Sequence, residues 1–288
     1  MTSATHTIID GKATSEALLA ELKLEVQAIL AEGKGIPALT VIIAGDDPAS
    51  QVYVKKKVRI AAELGLHSEL RRLPADCSQA QLCHEIDALN QDPLVHGILV
   101  QLPLPAQINS DAILERIAPE KDVDGFHPIN VGKLNAGLQP VALPCTPAGV
   151  ITLLKHYNIP IAGQHAVILG RSNIVGKPMA ALLLAENATV TICHSKTKDL
   201  PSFIRQADIL VAALGKAEFV QADWVKPGAV VIDVGINRNT EGKLVGDVDY
   251  ATVSEIASFI TPVPGGVGPM TVATLMQNTL NCFKASSL

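Results

Sequence analysis

Short runs typical of strands, most of them aliphatic, alternate along this chain with stretches of amphipathic helical pattern, and this alternation constrains the fold most. The first three runs lie at 38–43, 68–73 and 97–102, with helical patterns between them. Aromatic residues make up only 3% of the chain, so the core has to be built from Val, Ile, Leu and Ala. Strands that are apolar on both faces need helices above and below them, as in parallel sheets. The pattern therefore predicts an α/β fold built from βαβ units.

A second alternating series begins at His165 and indicates a second domain. Its strands are expected at 165–169, 188–193, 208–213 and 229–234. Between the two series the pattern loosens, because prolines and glycines become frequent. We therefore predict two α/β domains with an active-site cleft between them. One comprises residues 1–123 together with the amphipathic tail, 269–288. The other, residues 124–268, is of the Rossmann type.

Charge and cysteine pattern exclude several classes of protein. The net charge is −5 and no long basic run is present, so nucleic-acid binding has little electrostatic support. The five cysteines lack C-x-x-C spacing and the eight histidines lack H-x-x-x-H spacing, so no metal site is indicated. No apolar run is long enough for a bilayer, and the N-terminus lacks the apolar segment of a signal peptide. These features predict a cytoplasmic protein that associates with neither membranes nor nucleic acid.

The helix expected to begin near Pro48 carries a lysine in an unusual place. On a helical wheel the apolar residues from 53 to 64 form one arc, and Lys57 lies in its middle, one turn after Tyr53. Two interpretations are open. Lys57 could extend along apolar surface until its ammonium reaches water. Alternatively, it could be a desolvated lysine that takes and gives protons near neutrality, with the Tyr53 hydroxyl bonded to its amine.

The first strand of the second domain runs into the sequence GRSNIVGKP, in which Gly170 permits a tight turn and Gly176 permits close helix packing. This order suits a dinucleotide-binding unit, although Ser172 replaces the second glycine of the usual fingerprint and a plain strand-to-helix turn is equally open. The next strand ends without a carboxylate. Ser195 stands there instead, and Arg171 lies in the first turn. Basic and hydroxyl groups suit a 2′-phosphate, so the pattern predicts NADP rather than NAD.

Polar residues also follow strands of the first domain. Gln101 could bridge a lysine and a ligand, or simply cap its strand. Asp122 and Asp124, beside Gly125, could form a turn, or one of them could grip the edge of a nitrogen heterocycle with two hydrogen bonds. The loop at 262–269 is so rich in glycine and proline that we expect it to line a ligand.

Seven segments together carry a resemblance to a known family. In chain order from residue 46 to residue 271 they are DDPASQVYVKKK, GILVQLPLP, KDVDGFHPINVG, PCTPAG, GRSNIVGKP, DVGIN and TPVPGGVGPMT. Their sequence and order resemble the bifunctional methylenetetrahydrofolate dehydrogenase/methenyltetrahydrofolate cyclohydrolase family. The resemblance implies NADP-dependent oxidation of 5,10-methylenetetrahydrofolate to the 5,10-methenyl form, and hydrolysis of that product to 10-formyltetrahydrofolate in the same cleft.

The resemblance also implies roles for individual residues. Lys57 matches the catalytic lysine, Tyr53 its neighbouring active-site tyrosine and Gln101 the glutamine that contacts the lysine. Asp124 matches the carboxylate that holds the pterin ring, and all four would contact the folate. The residues that match NADP contacts are Gly170, Arg171, Ser172, Ser195 and Ile236. The loop that borders the folate and nicotinamide sites is matched by Pro264, Gly265 and Gly266.

The resemblance further implies a homodimer that acts on tetrahydrofolate derivatives in one-carbon metabolism, including purine biosynthesis. Two other functions are compatible with the sequence. One is an enzyme with the dehydrogenase step alone, using NAD. The other is a non-catalytic protein that binds NADP or folate, against which the presence of Tyr53, Lys57 and Gln101 speaks.

Overall fold

The structure, a computed structural model, describes residues 6–286. The helices are α1 (Gly11–Ala31), α2 (Pro48–Leu64), α3 (Gln79–Gln91), α4 (Ser110–Arg116), α5 (Pro128–Asn135), α6 (Cys145–His156), α7 (Gly176–Ala185), α8 (Leu200–Ile204), α9 (Tyr250–Val253) and α10 (Val267–Ser286). The strands are β1 (Thr7–Ile8), β2 (Ala38–Ala44), β3 (His67–Leu73), β4 (Gly97–Val100), β5 (His165–Leu169), β6 (Thr189–Cys193), β7 (Ile209–Ala212), β8 (Val230–Asp233), β9 (Asn237–Arg238), β10 (Leu244–Val245) and β11 (Phe259–Ile260). A 3₁₀ helix spans Ala222–Trp224.

The chain divides into two compact units. The three-stranded unit comprises Ala17–Cys145 and the chain from Val272 onward. The six-stranded unit comprises the chain up to Glu16 and Thr146–Thr271. Each unit contains a parallel sheet with helices, which confirms the predicted two-domain α/β class.

The three-stranded unit has the strand order β3-β2-β4, with both pairings parallel. The central strand β2 is buried at every residue. Its alternate side chains enter two separate cores, because successive residues of a strand point to opposite faces. Val41 packs in the core that α1, α2 and α10 share, with Val26 and Met276 among its members. Ile42 packs in a second core with Ile86 of α3 and Ile113 of α4.

Helix α2 is fixed at both ends by local signals. The Asp47 carboxylate accepts a 2.8 Å hydrogen bond from the Ser50 amide, and Pro48 occupies the first turn, where its missing N–H costs nothing. The helix ends at Gly65, whose φ of 89° is left-handed. The face of the helix that carries Val54, Ile60 and Leu64 is buried, and Lys57 lies on that face.

The six-stranded unit has the strand order β1-β11-β8-β7-β5-β6, and all five pairings are parallel. Strand β5 lies between β6 and β7, so the chain reverses its direction of travel across the sheet at β5. Such a switch point opens a crevice at the carboxyl ends of the strands, where α/β sheets bind ligands. A short antiparallel hairpin, β9 and β10, follows β8 at this same end.

The two units differ from the predicted boundaries in three segments. Residues 124–145 group with the three-stranded unit, and the described part of 1–16 groups with the six-stranded unit, as do residues 269–271. The first difference reflects hydrogen bonds from Asn278 of α10 to the carbonyls of Val123 and Leu143, both 2.8 Å. The second reflects β1, which pairs with β11 as a sheet edge.

Most predicted elements are present within a few residues of their expected ends. The strand expected at 97–102 is shorter, because β4 ends at Val100 and Gln101 lies beyond it. Among residues 6–286, no helix is both long and apolar enough to cross a membrane.

Candidate active site

Lys57 is the buried lysine of the three-stranded unit. Its side chain is 8% exposed, and Nζ donates a 3.0 Å hydrogen bond to Oε1 of Gln101. The burial agrees with its place in the apolar arc of α2. Because the ammonium is held by an amide oxygen, the alternative of a head group extending into water is wrong.

Gln101 directly follows β4 and has a fixed amide orientation. Its Nε2 donates a 2.6 Å hydrogen bond to the carbonyl of Leu102, which leaves Oε1 to accept from Lys57. Its backbone N–H donates to the carbonyl of Ile42 on β2 at 2.9 Å. The side chain is therefore tied to the end of the sheet and presents a neutral acceptor to the lysine.

Tyr53 lies one helical turn before Lys57 and is 37% exposed. Partial burial raises the pKa of its phenol, which keeps the hydroxyl protonated. Within the described residues, the acceptor for the Lys57 ammonium is Gln101, so the expected bond between the tyrosine hydroxyl and the amine is absent. Tyr53 thus presents a neutral phenol beside the lysine, and its role stays a prediction.

The two carboxylates near Gly125 have different environments, and the turn interpretation describes Asp122. Asp122, 1% exposed, accepts hydrogen bonds from the amides of Gly125 and His127 at 3.1 and 2.8 Å, and from Nδ2 of Asn130 at 2.9 Å. It is therefore the structural acceptor of the turn. That turn leaves the neighbouring Asp124 carboxylate free of these backbone contacts.

The electrostatic environment of Asp124 connects it to Lys57. Burial raises the pKa of Asp124 to about 6, although the positive charge of Lys57 lowers it and the charge of Asp122 raises it further. A hydrogen bond from the Cys145 thiol also favours the charged form. A carboxylate with these neighbours is an acceptor that a bound N–H group can exploit.

Sequence reasoning missed a second layer behind Asp124. Asn278 is 3% exposed, and besides its bonds to the Val123 and Leu143 carbonyls its Nδ2 lies 3.4 Å from Sγ of Cys145. Burial raises the pKa of the Cys145 thiol well above its usual value, so it is an inert donor rather than a nucleophile. The sequence offers no clear signal for this asparagine, because Gln277, Thr279 and Asn281 surround it, and only the packing of α10 places it inside the core.

Gly170 and Gly176 form the floor of the crevice in the six-stranded unit. Gly170 has a φ of 126°, and a Cβ there would lie 2.3 Å from the carbonyl oxygen of Ala213, which follows β7. A Cβ on Gly176 would lie 2.3 Å from the carbonyl oxygen of Gly170. The turn after β5 therefore packs backbone against backbone, as a dinucleotide crevice requires.

The other predicted cofactor residues lie around this crevice. Ser172 accepts hydrogen bonds from the amides of Val175 and Gly176 at 3.1 and 3.3 Å, which closes the loop before α7. Arg171 and Ser195 are exposed and follow β5 and β6. Ile236, after β8, is 53% exposed and offers an apolar surface that a flat ring could cover. The donors and the glycine-lined turn fit a dinucleotide with a 2′-phosphate.

The loop with Pro264, Gly265 and Gly266 belongs to the six-stranded unit. The carbonyl of Gly265 accepts a 3.0 Å hydrogen bond from the Lys12 amide, and the Gly266 amide donates to the Pro262 carbonyl at 2.9 Å. The structure therefore gathers Lys57, Gln101 and Asp124 in one unit and this loop with the crevice residues in the other. Between residues 6 and 286, no three His, Cys, Asp or Glu side chains are grouped as metal ligands.

Two family models match the chain. The tetrahydrofolate dehydrogenase/cyclohydrolase catalytic domain matches residues 9–124, and the NAD(P)-binding domain of the same family matches residues 144–287. The chain belongs to the tetrahydrofolate dehydrogenase/cyclohydrolase family. The resemblance seen in the seven segments is thereby confirmed, and the crevice residues lie in a family NAD(P)-binding domain.

Members of the tetrahydrofolate dehydrogenase/cyclohydrolase family match over nearly the whole chain. The bifunctional protein FolD 2 of Geobacter metallireducens is 56% identical over 278 residues, which cover 96% of this chain and 97% of that protein. A crystal structure of the bifunctional FolD methylenetetrahydrofolate dehydrogenase/cyclohydrolase from Campylobacter jejuni has 53% identity and a TM-score of 0.95, with 97% and 99% of the two chains covered. A Trypanosoma brucei FolD structure, complexed with NADP and an inhibitor, has 43% identity, a TM-score of 0.93 and 98% coverage of both chains.

Proposed function

We propose that this enzyme oxidises 5,10-methylenetetrahydrofolate with NADP and hydrolyses the 5,10-methenyl product to 10-formyltetrahydrofolate. The observation that carries the proposal is the buried Lys57, bonded to Gln101 and electrostatically coupled to Asp124. A protein that only bound folate would have no use for a buried amine held by a neutral amide.

In the oxidation, the protein's main task is to position the substrate. Asp124 would accept two hydrogen bonds from the N–H groups at the edge of the pterin ring. NADP, when bound, supplies the acceptor for the hydride that leaves the one-carbon bridge. Because the bridge nitrogens stabilise the resulting cation, this step needs no proton donor from the chain.

The hydrolysis requires proton transfer. Water attacks the methenyl carbon, and a bridge nitrogen has to be protonated as the ring opens. Lys57 would move these protons at Nζ, and Gln101 would hold the amine in position by its 3.0 Å hydrogen bond. Tyr53, with its neutral phenol, would contact the folate beside the lysine.

The chemistry around the crevice supports NADP over NAD. The strand β6 is followed by His194, Ser195 and Lys196, with no carboxylate to bind a ribose 2′-hydroxyl. Arg171 is exposed after β5 and can pair with a 2′-phosphate. Gly170, Ser172 and Ile236 would complete the contacts.

The direct test is to assay the purified chain for both steps. Reduction of NADP with 5,10-methylenetetrahydrofolate and the disappearance of 5,10-methenyltetrahydrofolate are each followed by absorbance. We expect both activities, with NADP preferred to NAD. Oxidation without hydrolysis would support the dehydrogenase-only alternative, and absence of both would leave a folate or NADP binder.

We infer that the protein is a homodimer. Strand β6 is an outer strand of the six-stranded sheet, Ile192 on it is 40% exposed and Leu184 on the neighbouring α7 is 65% exposed. A sheet edge with exposed apolar side chains is a surface that a second copy can cover. Light scattering should give the mass of a dimer, and Leu184→Glu together with Ile192→Lys should give a monomer.

We also propose a cytoplasmic protein, which takes part in one-carbon metabolism and, through 10-formyltetrahydrofolate, in purine biosynthesis. All five cysteines are free thiols, which suits a reducing compartment. Fractionation of cells that express the chain, probed with an antibody, tests the location.

A further inference from the structure

Two buried aspartates lie at the base of the hairpin that follows β8. Asp233 ends β8 and is 3% exposed, and Asp247 follows β10 and is fully buried. The hairpin between them begins next to Ile236, a predicted cofactor contact. Neither aspartate has a role in the mechanism described above.

The Asp247 carboxylate accepts hydrogen bonds from two loops. Its Oδ2 accepts from the amides of Leu214 and Gly215 at 2.5 and 3.0 Å, and its Oδ1 accepts from the Lys216 amide at 2.8 Å. Oδ1 also accepts from Nδ2 of Asn237 at 2.9 Å. Three donors therefore come from the loop after β7 and one from the segment after β8.

Asp233 holds Asp247 in place through the backbone. Its Oδ1 accepts from the amides of Gly235 and Asp247 at 3.0 and 2.9 Å, and its Oδ2 accepts from the Val248 amide at 2.9 Å. The two carboxylates thus form a relay of hydrogen bonds: Asp233 fixes the backbone of Asp247, and the Asp247 side chain fixes the loops.

Two glycines show how closely this relay is packed. A Cβ on Gly235 would lie 2.3 Å from the Asp247 carboxyl carbon, and a Cβ on Gly246 would lie 1.8 Å from Oδ2 of Asp233. The glycine after each strand therefore exists to admit a carboxylate. The contacts with the two carboxylates explain why glycine stands at 235 and at 246, which contact with a ligand alone would not explain.

The held loop borders the crevice. Ala213 lies at the crevice, because a Cβ on Gly170 would be 2.3 Å from its carbonyl oxygen. The next three residues along the chain supply the backbone amides that donate to Asp247. Ile236 immediately precedes Asn237, whose amide Asp247 also binds. One buried carboxylate therefore fixes two segments that flank the proposed cofactor.

We propose that Asp247 is a positioning residue for the nicotinamide cofactor, fixing the loops after β7 and β8 at the crevice while Asp233 fixes Asp247. The proposal rests on NADP binding at this crevice, as proposed above. An acceptor-only carboxylate can satisfy four N–H groups at once, whereas an amide would turn its own N–H toward one of them. The loops of the unliganded protein are then already in the binding geometry.

The test compares Asp247→Asn with wild type in three measurements. Hydrogen exchange of the Leu214–Lys216 amides in the unliganded protein should become about tenfold faster or more. Equilibrium binding of NADP, measured by calorimetry, should weaken about tenfold or more. Hydrolysis of 5,10-methenyltetrahydrofolate without NADP should stay within about twofold, because Lys57 lies in the other unit.

Two further variants keep the test decisive. Asn237→Ala removes one donor at a partly exposed position, and we expect it to weaken NADP binding about three- to tenfold even if Asp247→Asn does not fold. Asp249→Asn is the matched control, because that carboxylate accepts from the Thr252 hydroxyl and not from either loop.

Wild-type NADP affinity in folded Asp247→Asn and in Asn237→Ala would overturn the inference. A wild-type chain that binds no NADP would instead overturn the proposed function, and the inference with it. Equal losses of NADP binding and of hydrolysis in Asp247→Asn would show a general structural role and reject positioning.

Discussion

Lys57 and Gln101 are 44 residues apart in the chain, and a 3.0 Å hydrogen bond joins the lysine ammonium to the glutamine oxygen. The bond links a helix to the end of a strand and occupies one of the three N–H donors of the lysine, so the side chain stays turned toward Gln101. The remaining two donors are left for a substrate.

Lys57→Met separates the two reactions. Ring opening needs proton transfer and hydride transfer does not, so we expect a loss of about 10²–10⁴-fold in cyclohydrolase rate. The dehydrogenase rate should fall much less, through altered positioning of the folate. Separate initial rates for NADPH formation and for methenyl disappearance measure the split. Lys56→Met, at an exposed neighbouring lysine, is the control and should keep both rates. Equal losses of both activities in Lys57→Met would make Lys57 a positioning residue.

Folate binding should weaken in acid because of Asp124. Only the ionised carboxylate can accept two N–H bonds, and its pKa in the folded protein is about 6. Affinity for folic acid should therefore be constant above pH 7 and fall as the pH drops through about 6. Asp124→Asn should bind about tenfold more weakly or worse at pH 7.5, impair both reactions and lack this inflection. Calorimetric titrations from pH 5 to pH 8 provide the comparison, and an unchanged inflection in the variant would assign the titration to another group.

Arg171→Ala tests cofactor choice. If the guanidinium pairs with the 2′-phosphate, binding of NADP should weaken by about 1–3 kcal/mol while binding of NAD changes little. Dissociation constants for both cofactors measure the difference directly. Arg205→Ala, at another exposed arginine of the same unit, should leave both constants unchanged. If Arg171→Ala weakens both cofactors equally, Arg171 does not distinguish them.

Asn278→Ala tests the layer behind Asp124. The change leaves the carbonyls of Val123 and Leu143 without their amide donor in the core, which should cost about 2–4 kcal/mol in free energy of unfolding. Urea unfolding followed by circular dichroism measures it. Asn281→Ala, one turn along α10 and partly exposed, should stay within about 0.5 kcal/mol of wild type. A stable Asn278→Ala variant would mean that water replaces the lost donors.

The sequence predicted the parts of the site that depend on local pattern. The side of α2 that Lys57 faces was predictable, because the helical period alone decides it, whereas the burial of its ammonium was left open. Gly170 was predictable for a similar reason, since a strand, a glycine turn and a helix occur consecutively. The class of fold followed from the alternation of elements.

Other features depend on contacts that no local pattern contains. Asn278 binds the Val123 carbonyl 155 residues away, so its partner is set by the way α10 packs. Asp247 reads locally as part of a polar turn, and its function appears only when β7 and β8 lie side by side. Strands β1 and β11 have two residues each, too few to show a period.

The division into units has a consequence for synthesis on the ribosome. The chain crosses between units at 16/17, 145/146 and 271/272, so neither unit is a contiguous piece of the gene product. Strand β1 is made long before β11, which follows about 250 residues later, so β1 has no strand to pair with until then. In the three-stranded unit, the core around Val41 is not covered until α10 has been made. The six-stranded sheet therefore stays incomplete until β11 has left the ribosome, and the three-stranded sheet, although its strands are made by residue 100, stays uncovered on one face until α10 has followed. A nascent chain that stalls before α10 holds two incomplete units rather than one native domain.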